Sequence, residues 1–217
     1  MARLKLGVLI SGGGTNLQAL LDAAADQDCA YEIGIVLSNN PDAGGLQRAR
    51  DAGVPAHAVN HRDYETREEF EVAMTAVLED AGVGLICLAG FMRLLTREFV
   101  DRWHNRLINI HPSLLPAFKG LHVHERVLET GARITGCTVH YVRHAMDAGP
   151  IIIQGAVPVL PGDTPDDLAG RVLNVEHQIY PMAVKLIADG SARVTGDTVI
   201  LDTDSAGTDQ LISPVAD

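Results

Sequence analysis

The sequence predicts an α/β fold, in which a mostly parallel sheet is covered by helices. Through the first half of the chain, short apolar segments alternate with helical patterns, and this alternation is typical of parallel strands joined by right-handed crossovers. Later, two strand-like segments are separated only by residues 143–150, a connection short enough for an antiparallel pair. The predicted fold class is therefore α/β, with a Rossmann-like, mostly parallel twisted sheet flanked by helices and a late antiparallel strand pair.

The first half of the chain contains alternating predicted strands and helices. The strands cover residues 3–10, 33–37, 56–59, 84–88 and 106–111. The helices cover residues 16–25, 45–52, 66–80 and 96–102, and Thr15 or Asn16 is suited to cap the first of them. The helix over 66–80 is the clearest, because its apolar residues recur at the helical i, i+3, i+4 spacing.

The second half begins with the predicted antiparallel strands, residues 138–142 and 151–157. A helix is then predicted after Thr164, because proline stands at its first position and acidic residues fill its first turn. Pro181 is expected to kink or break this helix. Residues 193–201 are predicted to form a hairpin that turns at Gly196.

Length and composition predict one globular domain over residues 1–202, followed by an acidic, flexible tail over 203–217. The chain is 47% hydrophobic but contains no apolar run of 18 residues and no signal peptide, so we expect a soluble, cytoplasmic protein without membrane contact. The net charge of −11 argues against nucleic-acid binding. The sequence leaves open whether the protein is a monomer or a homodimer.

The strand that ends near residue 111 carries the first candidate catalytic residues. Asn109 and His111 are two positions apart, so both should project from one face of the strand, and Pro112 should end it there. Ligands bind at the carboxyl edge of such a sheet. A side-chain amide and a protonated imidazole could together stabilise an oxyanion. The alternative is that both are ordinary polar residues at a strand end.

Asp147 is the predicted partner of His111. It lies in the turn 146–150 between the two late strands, and a carboxylate beside an imidazole favours its protonated form and fixes its orientation. The alternative is that Asp147 only makes the turn. His140 alternates onto one strand face with Thr138, so it either borders the site or lies elsewhere on the sheet.

The glycine-rich segment 11–16 predicts an anion site. It joins a strand to a helix N-terminus, where free N–H groups and the helix dipole attract phosphate. Leu17 stands where the dinucleotide fingerprint has its third glycine, and no Walker lysine follows. The alternative is a plain strand-to-helix turn. No metal site is expected: the three cysteines are scattered, and His122 and His124 are interpreted as a solvated loop pair. Ser113 lacks the context of a hydrolase nucleophile.

Four segments resemble the phosphoribosylglycinamide formyltransferases, a folate-dependent family within the wider formyl-transfer superfamily. They are residues 10–18 (ISGGGTNLQ), 88–93 (LAGFMR), 109–116 (NIHPSLLP) and 146–150 (MDAGP). The last two are shared across the superfamily, whereas the glycine loop and the chain length indicate the particular family. Departures are small: Gly13 and Thr15 replace the usual Asn and Ser, and residues 143–145 are less acidic than in many members.

The resemblance implies transfer of a formyl group from 10-formyltetrahydrofolate, as co-substrate, to the primary amine of glycinamide ribonucleotide, without a metal. It implies catalysis by Asn109, His111 and Asp147. It implies nucleotide binding by Gly14, Thr15, Asn16 and Glu176. The implied folate contacts are Arg67, Met92, Arg93, Leu94, Leu95, Asn109, Arg143, His144, Ala145, Met146 and Asp147, those around 143–146 mostly through backbone.

Three alternatives to this interpretation differ in acceptor or in class. A methionyl-tRNA formyltransferase would carry a basic carboxy-terminal domain, but residues 188–217 hold six Asp and one Arg. A formyltetrahydrofolate hydrolase would use water as acceptor and carry an added amino-terminal domain, whereas the first predicted strand begins at residue 3. A non-catalytic phosphate-binding module would explain the glycine loop, but not Asn109, His111 and Asp147 together.

Overall fold

The protein was analysed as a computed structural model, which describes residues 2–202 and 213. Seven strands form the main sheet in the order β3-β2-β1-β4-β5-β6-β7. They are β1 (Leu4–Ile10), β2 (Tyr31–Ser38), β3 (Ala56–Ala58), β4 (Leu85–Leu88), β5 (Leu107–His111), β6 (Ile134–Tyr141) and β7 (Ile151–Pro158). The hairpin β8 (Ala192–Thr195) and β9 (Thr198–Leu201) forms a separate two-stranded sheet.

Within the described residues, six α-helices connect and cover these strands. They are α1 (Thr15–Ala24), α2 (Gly44–Asp51), α3 (Arg67–Asp80), α4 (Arg97–Arg102), α5 (Val123–Glu129) and α6 (Pro165–Ala188). Strands β1 to β5 pair in parallel, and β6 is antiparallel to both β5 and β7. The predicted fold class is confirmed, including the late antiparallel pair and the hairpin at Gly196.

Alternate residues of the central strands face two apolar clusters, one on each side of the sheet. Val8 packs with Leu17 and Tyr180 on the side of α1 and α6. Leu9 packs with Phe70 on the side of α3. All five of these side chains are nearly inaccessible, and burying such a side chain contributes about 1.5–3 kcal/mol. The two clusters fix the sheet between its helix layers, and this fixes the positions of the strand ends.

Pro181 was expected to kink or break the helix, and of these two outcomes the break is wrong, because α6 runs without interruption from Pro165 to Ala188. Proline lacks the N–H that would bond the carbonyl four residues earlier. Ile179 and Tyr180 before it, and Ala183 and Val184 after it, are all buried. Burial on both sides of Pro181 holds the two halves in one helix, and periodicity around a proline does not reveal this.

Two further predictions need correction. His122 and His124 are not a loop pair, since His122 caps α5 in a left-handed conformation and His124 lies within that helix. The seven-residue α5 is too short to be stable alone and depends on burying Val123 and Val127. Strand β6 begins at Ile134, four residues earlier than predicted. Gly136 within this strand is required by packing, because any Cβ there would lie 1.9 Å from the carbonyl oxygen of Gly155.

The predicted tail, residues 203–217, lies outside the described residues except for position 213, so the division at residue 202 stays a prediction. Within the described part of the chain, none of the helices has the length and apolar character needed to cross a bilayer. The same residues contain no group of three or more His, Cys, Asp or Glu arranged to hold a metal ion.

Candidate active site

Strand β5 ends at His111, as the proline after it predicted. It lies beside β4, which lies beside β1, and all three run parallel, so their carboxyl ends share one edge of the sheet. The glycine loop follows β1, and residues 89–96 follow β4. Most of the predicted site segments therefore meet at the edge where ligands bind in open α/β sheets.

His111 lies between two acceptors. Its Nε2 donates to the carbonyl oxygen of Phe118 at 3.0 Å, and its Nδ1 lies 3.5 Å from Oδ2 of Asp147. The ring is buried, with 6% of its surface exposed. A carbonyl and a carboxylate can only accept, so an imidazole that carries protons on both nitrogens satisfies both partners. The arrangement thus suits the cationic form of His111.

Asp147 occupies a constrained position that directs its carboxylate to the strand. Its backbone is left-handed, with φ of 48°, and the loop between β6 and β7 carries it to β5. Oδ2 accepts a hydrogen bond of 2.8 Å from the backbone N–H of Gly120, in addition to facing His111. The predicted pairing of Asp147 with His111 is present in the structure.

Asn109 and His140 are cross-strand partners on β5 and β6. Nδ2 of Asn109 lies 3.4 Å from Nε2 of His140, which is itself 4.0 Å from Oδ1 of Asp147. His140 is 2% exposed, and burial lowers the pKa of its imidazole. His140 therefore borders the site, one of the two alternatives that the sequence left open.

The glycine loop has no side-chain cap. Gly14, not Thr15 or Asn16, is the N-cap of α1, in a left-handed conformation with φ of 73°. A Cβ at Gly14 would lie 2.8 Å from the Cα of Gly45, so both strain and crowding require glycine there. Because the N-cap residue supplies no side-chain acceptor, the first N–H groups of α1 are left as donors for an anion.

Asn16 and Glu176 join the glycine loop to α6. Nδ2 of Asn16 donates to Oε2 of Glu176 at 2.7 Å, and both side chains are buried. Burial raises the pKa of the Glu176 carboxyl, and the hydrogen bond from Asn16 opposes this only in part. Oδ1 of Asn16 has no partner among the described residues. The pair thus places two groups beside the glycine loop: a carboxylate whose charge is destabilised by burial, and an amide oxygen without a hydrogen-bond partner among the described residues.

Two segments predicted to bind folate expose apolar side chains. Met92, Leu94 and Met146 are 71%, 61% and 52% exposed, respectively. Leu95 is half-buried and packs against the cluster under α3. Exposed large apolar side chains are typical of a binding surface. Arg67 begins α3 and is exposed, and among the described residues no hydrogen bond or ion pair joins its side chain to these segments.

Both segments are anchored by side-chain bonds. Ser11 accepts from the N–H of Met92 at 2.8 Å and donates to Asn39 at 2.5 Å, so the glycine loop and the segment after β4 share one hydroxyl. Arg143 donates to Asn105 at 2.6 Å, and His144 pairs with Asp101 at 3.0 Å. These contacts occupy the side chains of Arg143 and His144 and fix their segment to residues at the end of α4 and just after it.

A sequence profile of the formyl transferase family matches residues 4–184. The chain belongs to the formyl transferase family. It is 41% identical over 199 residues to phosphoribosylglycinamide formyltransferase of Escherichia coli, and the match covers 92% of this chain and 94% of that protein. The resemblance predicted from the motifs is therefore confirmed.

This chain is also 48% identical over 192 residues to the human trifunctional purine biosynthetic protein adenosine-3. That match covers 88% of this chain but 19% of the human protein, so the chain spans less than a fifth of the length of this trifunctional relative. Among solved structures, glycinamide ribonucleotide transformylase 1 of Symbiobacterium toebii superposes with a TM-score of 0.89 at 47% identity. That superposition covers 92% of this chain and 94% of the other.

Two features of this formyl transferase were missed in the sequence. The shared hydroxyl of Ser11 stands in a glycine-rich run and gave no signal of its contact with Met92. Thr138 accepts from Leu115 N–H at 3.1 Å and donates to Ser113 at 2.7 Å, which holds the turn after His111. Ser113 itself is buried and donates to Ala117 at 2.6 Å, in keeping with its expected non-nucleophilic role.

Proposed function

We propose that this formyl transferase moves the formyl group of 10-formyltetrahydrofolate to the primary amine of glycinamide ribonucleotide. The observation that carries the proposal is the placement of His111 between a carbonyl and a carboxylate, beside Asn109 at the edge of the sheet. The names of the relatives that match over nearly their whole length support the choice of reaction.

In the proposed reaction the amine nitrogen attacks the formyl carbon, and the carbonyl oxygen becomes an oxyanion. Asn109 donates an N–H to this oxygen, and the positive charge of His111 stabilises it. The bond from carbon to the folate nitrogen then breaks, the amine loses its proton, and the folate nitrogen gains one. Asp147 balances the charge of His111 and, through water, carries the proton between the two nitrogens. Direct donation by His111 requires its Nε2–H to leave the carbonyl of Phe118.

The two substrates are assigned to different parts of the edge. The nucleotide phosphate binds the N–H groups of Gly14, Thr15 and Asn16, and Glu176 meets the amine or the ribose. The folate lies against residues 91–95 and 143–147, where Met92, Leu94 and Met146 are exposed. The backbone of 143–146 contacts the pterin, and Arg67 is a further folate contact. No metal is required, because the folate nitrogen already activates the formyl group.

We expect Glu176→Gln to stabilise the fold while weakening nucleotide binding. The amide keeps an acceptor for Asn16 and removes a desolvated charge, and its N–H₂ can donate to the unpartnered Oδ1 of Asn16. A gain of about 1–2 kcal/mol in the free energy of unfolding is expected at neutral pH. The KM for glycinamide ribonucleotide should rise because the charged contact is lost.

The pH dependence of that gain has a definite sign. The folded pKa of Glu176 is raised, so its charge destabilises the fold above that pKa and is absent below the ordinary value of 4.5. The advantage of the Gln variant should therefore be largest at alkaline pH and fade as the pH falls toward 4.5. Urea unfolding of both proteins at several pH values measures it. A variant no more stable than wild type at pH 8 would contradict the assignment.

A two-substrate assay tests the proposed function. Purified protein is mixed with 10-formyltetrahydrofolate, with and without glycinamide ribonucleotide, and both folate and nucleotide products are followed. Formylated nucleotide that appears only with both substrates supports the proposal. Deformylation of folate without the nucleotide would instead show a hydrolase, and folded protein that produces neither would show that the acceptor or the activity is misassigned.

A further inference from the structure

Among the described residues, His140 is a buried titratable side chain that lies against two of the three proposed catalytic residues and has no part in the proposed reaction. Its Nε2 faces Nδ2 of Asn109 at 3.4 Å and Oδ1 of Asp147 at 4.0 Å. The resemblance in sequence implies no catalytic or binding role for His140, whereas its contacts point to one.

The hydrogen bond at the other ring nitrogen decides the tautomer of His140. Nδ1 lies 2.9 Å from the carbonyl oxygen of Tyr141, and a carbonyl can only accept, so Nδ1 carries a proton. In the neutral ring Nε2 then has only a lone pair. Facing it, the Asn109 amide must present N–H₂, because its oxygen would meet the lone pair of Nε2.

The orientation of Asn109 follows from this contact. One N–H of its Nδ2 is taken by His140, and the second is left to donate to the oxyanion. If the amide were turned around, its oxygen would face the developing negative charge, which would oppose the reaction. Side-chain amides have no intrinsic preference between these two orientations, so the neighbouring acceptor sets it.

We propose that His140 is a positioning residue for formyl transfer. Its Nε2 accepts a hydrogen bond from the amide of Asn109, and this bond holds the amide with its N–H groups toward the reacting oxygen. This inference rests on the proposed function. It requires His140 to be neutral.

The surroundings of His140 keep it neutral and show what its protonation would do. Burial is the main cause that lowers the pKa of its imidazole, and the nearby charges of His111 and Lys119 act in the same direction. Asp147 and the Tyr141 carbonyl act in the opposite direction but more weakly than burial. A proton on Nε2 would place donor against donor at Asn109 and would draw Oδ1 of Asp147 toward His140.

Two substitutions at position 140 distinguish the effect of the hydrogen-bond acceptor from the effect of the ring's volume. His140→Phe fills a similar volume without an acceptor, and His140→Gln can restore an acceptor oxygen near the position of Nε2. We expect the Phe variant to lower kcat about 10- to 100-fold, with the KM of each substrate changed less than about threefold, because a misoriented group costs rate more than binding. The Gln variant should recover at least about a third of the lost activity on a logarithmic scale.

A double-mutant cycle with Asn109→Ala distinguishes positioning from simple structural damage. If His140 acts through Asn109, His140→Phe should lower kcat less than about threefold once Asn109 is gone. The same large loss in both backgrounds would overturn the proposal. Val139→Ala is the matched control, since Val139 is a fully buried neighbour on the same strand that packs in the apolar cluster. It should lower the melting temperature and leave kcat near that of wild type.

A spectroscopic measurement tests the premise without any substrate. In a long-range ¹H–¹⁵N spectrum of the wild-type protein at neutral pH, His140 should show the Nδ1–H tautomer with Nε2 unprotonated. The Nε2–H tautomer would overturn the inference. Because this result does not depend on turnover, failure of the inference and failure of the proposed function remain distinguishable.

Discussion

Replacement of His111 by alanine should lower kcat about 10³-fold and leave the protein folded. The imidazole supplies the positive charge beside the oxyanion, and removal of such a group from a buried site costs about 10²–10³ in rate. The ring is buried but belongs to neither apolar cluster, so its loss removes a hydrogen bond to Phe118 more than core packing. The cost to the free energy of unfolding should be about 1–3 kcal/mol. Steady-state kinetics and thermal unfolding of the purified variant measure both effects.

The control for His111→Ala is His111→Gln. Its amide can still donate to the carbonyl of Phe118 but carries no charge, so it should restore much of the lost stability and little of the lost turnover. If either variant retained turnover within about tenfold of wild type, the assigned role of His111 would be wrong. If turnover recovered in parallel with stability, His111 would be a structural residue only.

The sequence was sufficient to predict a mostly parallel sheet and the end of the strand at His111, because local patterns specify both. Alternation of apolar segments predicted the parallel sheet, and Pro112 predicted the end of β5. The partnership of His111 with Asp147 was correct because both lie in motifs. What sequence could not supply was any contact fixed by tertiary packing, such as the hydroxyl of Ser11 between Asn39 and Met92.

The errors have the same origin. Pro181 breaks a helix in isolation, yet burial on both sides holds α6 together. Thr15 and Asn16 are good caps by residue type, but the left-handed Gly14 takes the N-cap position and Asn16 bonds to Glu176 on a distant helix. The sequence placed His140 only on one face of a strand, whereas its proposed role depends on its cross-strand partner Asn109 and on the carbonyl of Tyr141. In each case a long-range contact overrides a local preference.

The Asp147→Asn substitution should lower kcat about 10²- to 10³-fold with little loss of folate affinity. The amide has the shape of the carboxylate, so its oxygen can keep the 2.8 Å bond to the Gly120 N–H that holds the loop. That oxygen takes the place of Oδ2, so it also faces Nδ1 of His111, and the N–H₂ takes the place of Oδ1 toward His140. The variant therefore removes the negative charge that balances His111 without a change of shape. In serine proteases, loss of the carboxylate that orients the catalytic histidine lowers kcat about 10⁴-fold, which sets an upper bound for the effect here.

Comparison of rate with affinity decides whether the role of Asp147 is electrostatic or structural. The dissociation constant for a stable folate analogue should stay within about threefold of wild type while kcat falls, because the loop over 143–147 keeps its anchors at Asn105 and Asp101. Asp163→Asn is the matched control: Asp163 is also a shielded carboxylate, 6% exposed, and pairs with Arg171 at 2.7 Å. That control should lose stability and keep its turnover. A collapse of folate affinity in the Asp147 variant that matches its loss of rate would show instead that Asp147 shapes the loop, and the charge on His111 would have to be set by another group.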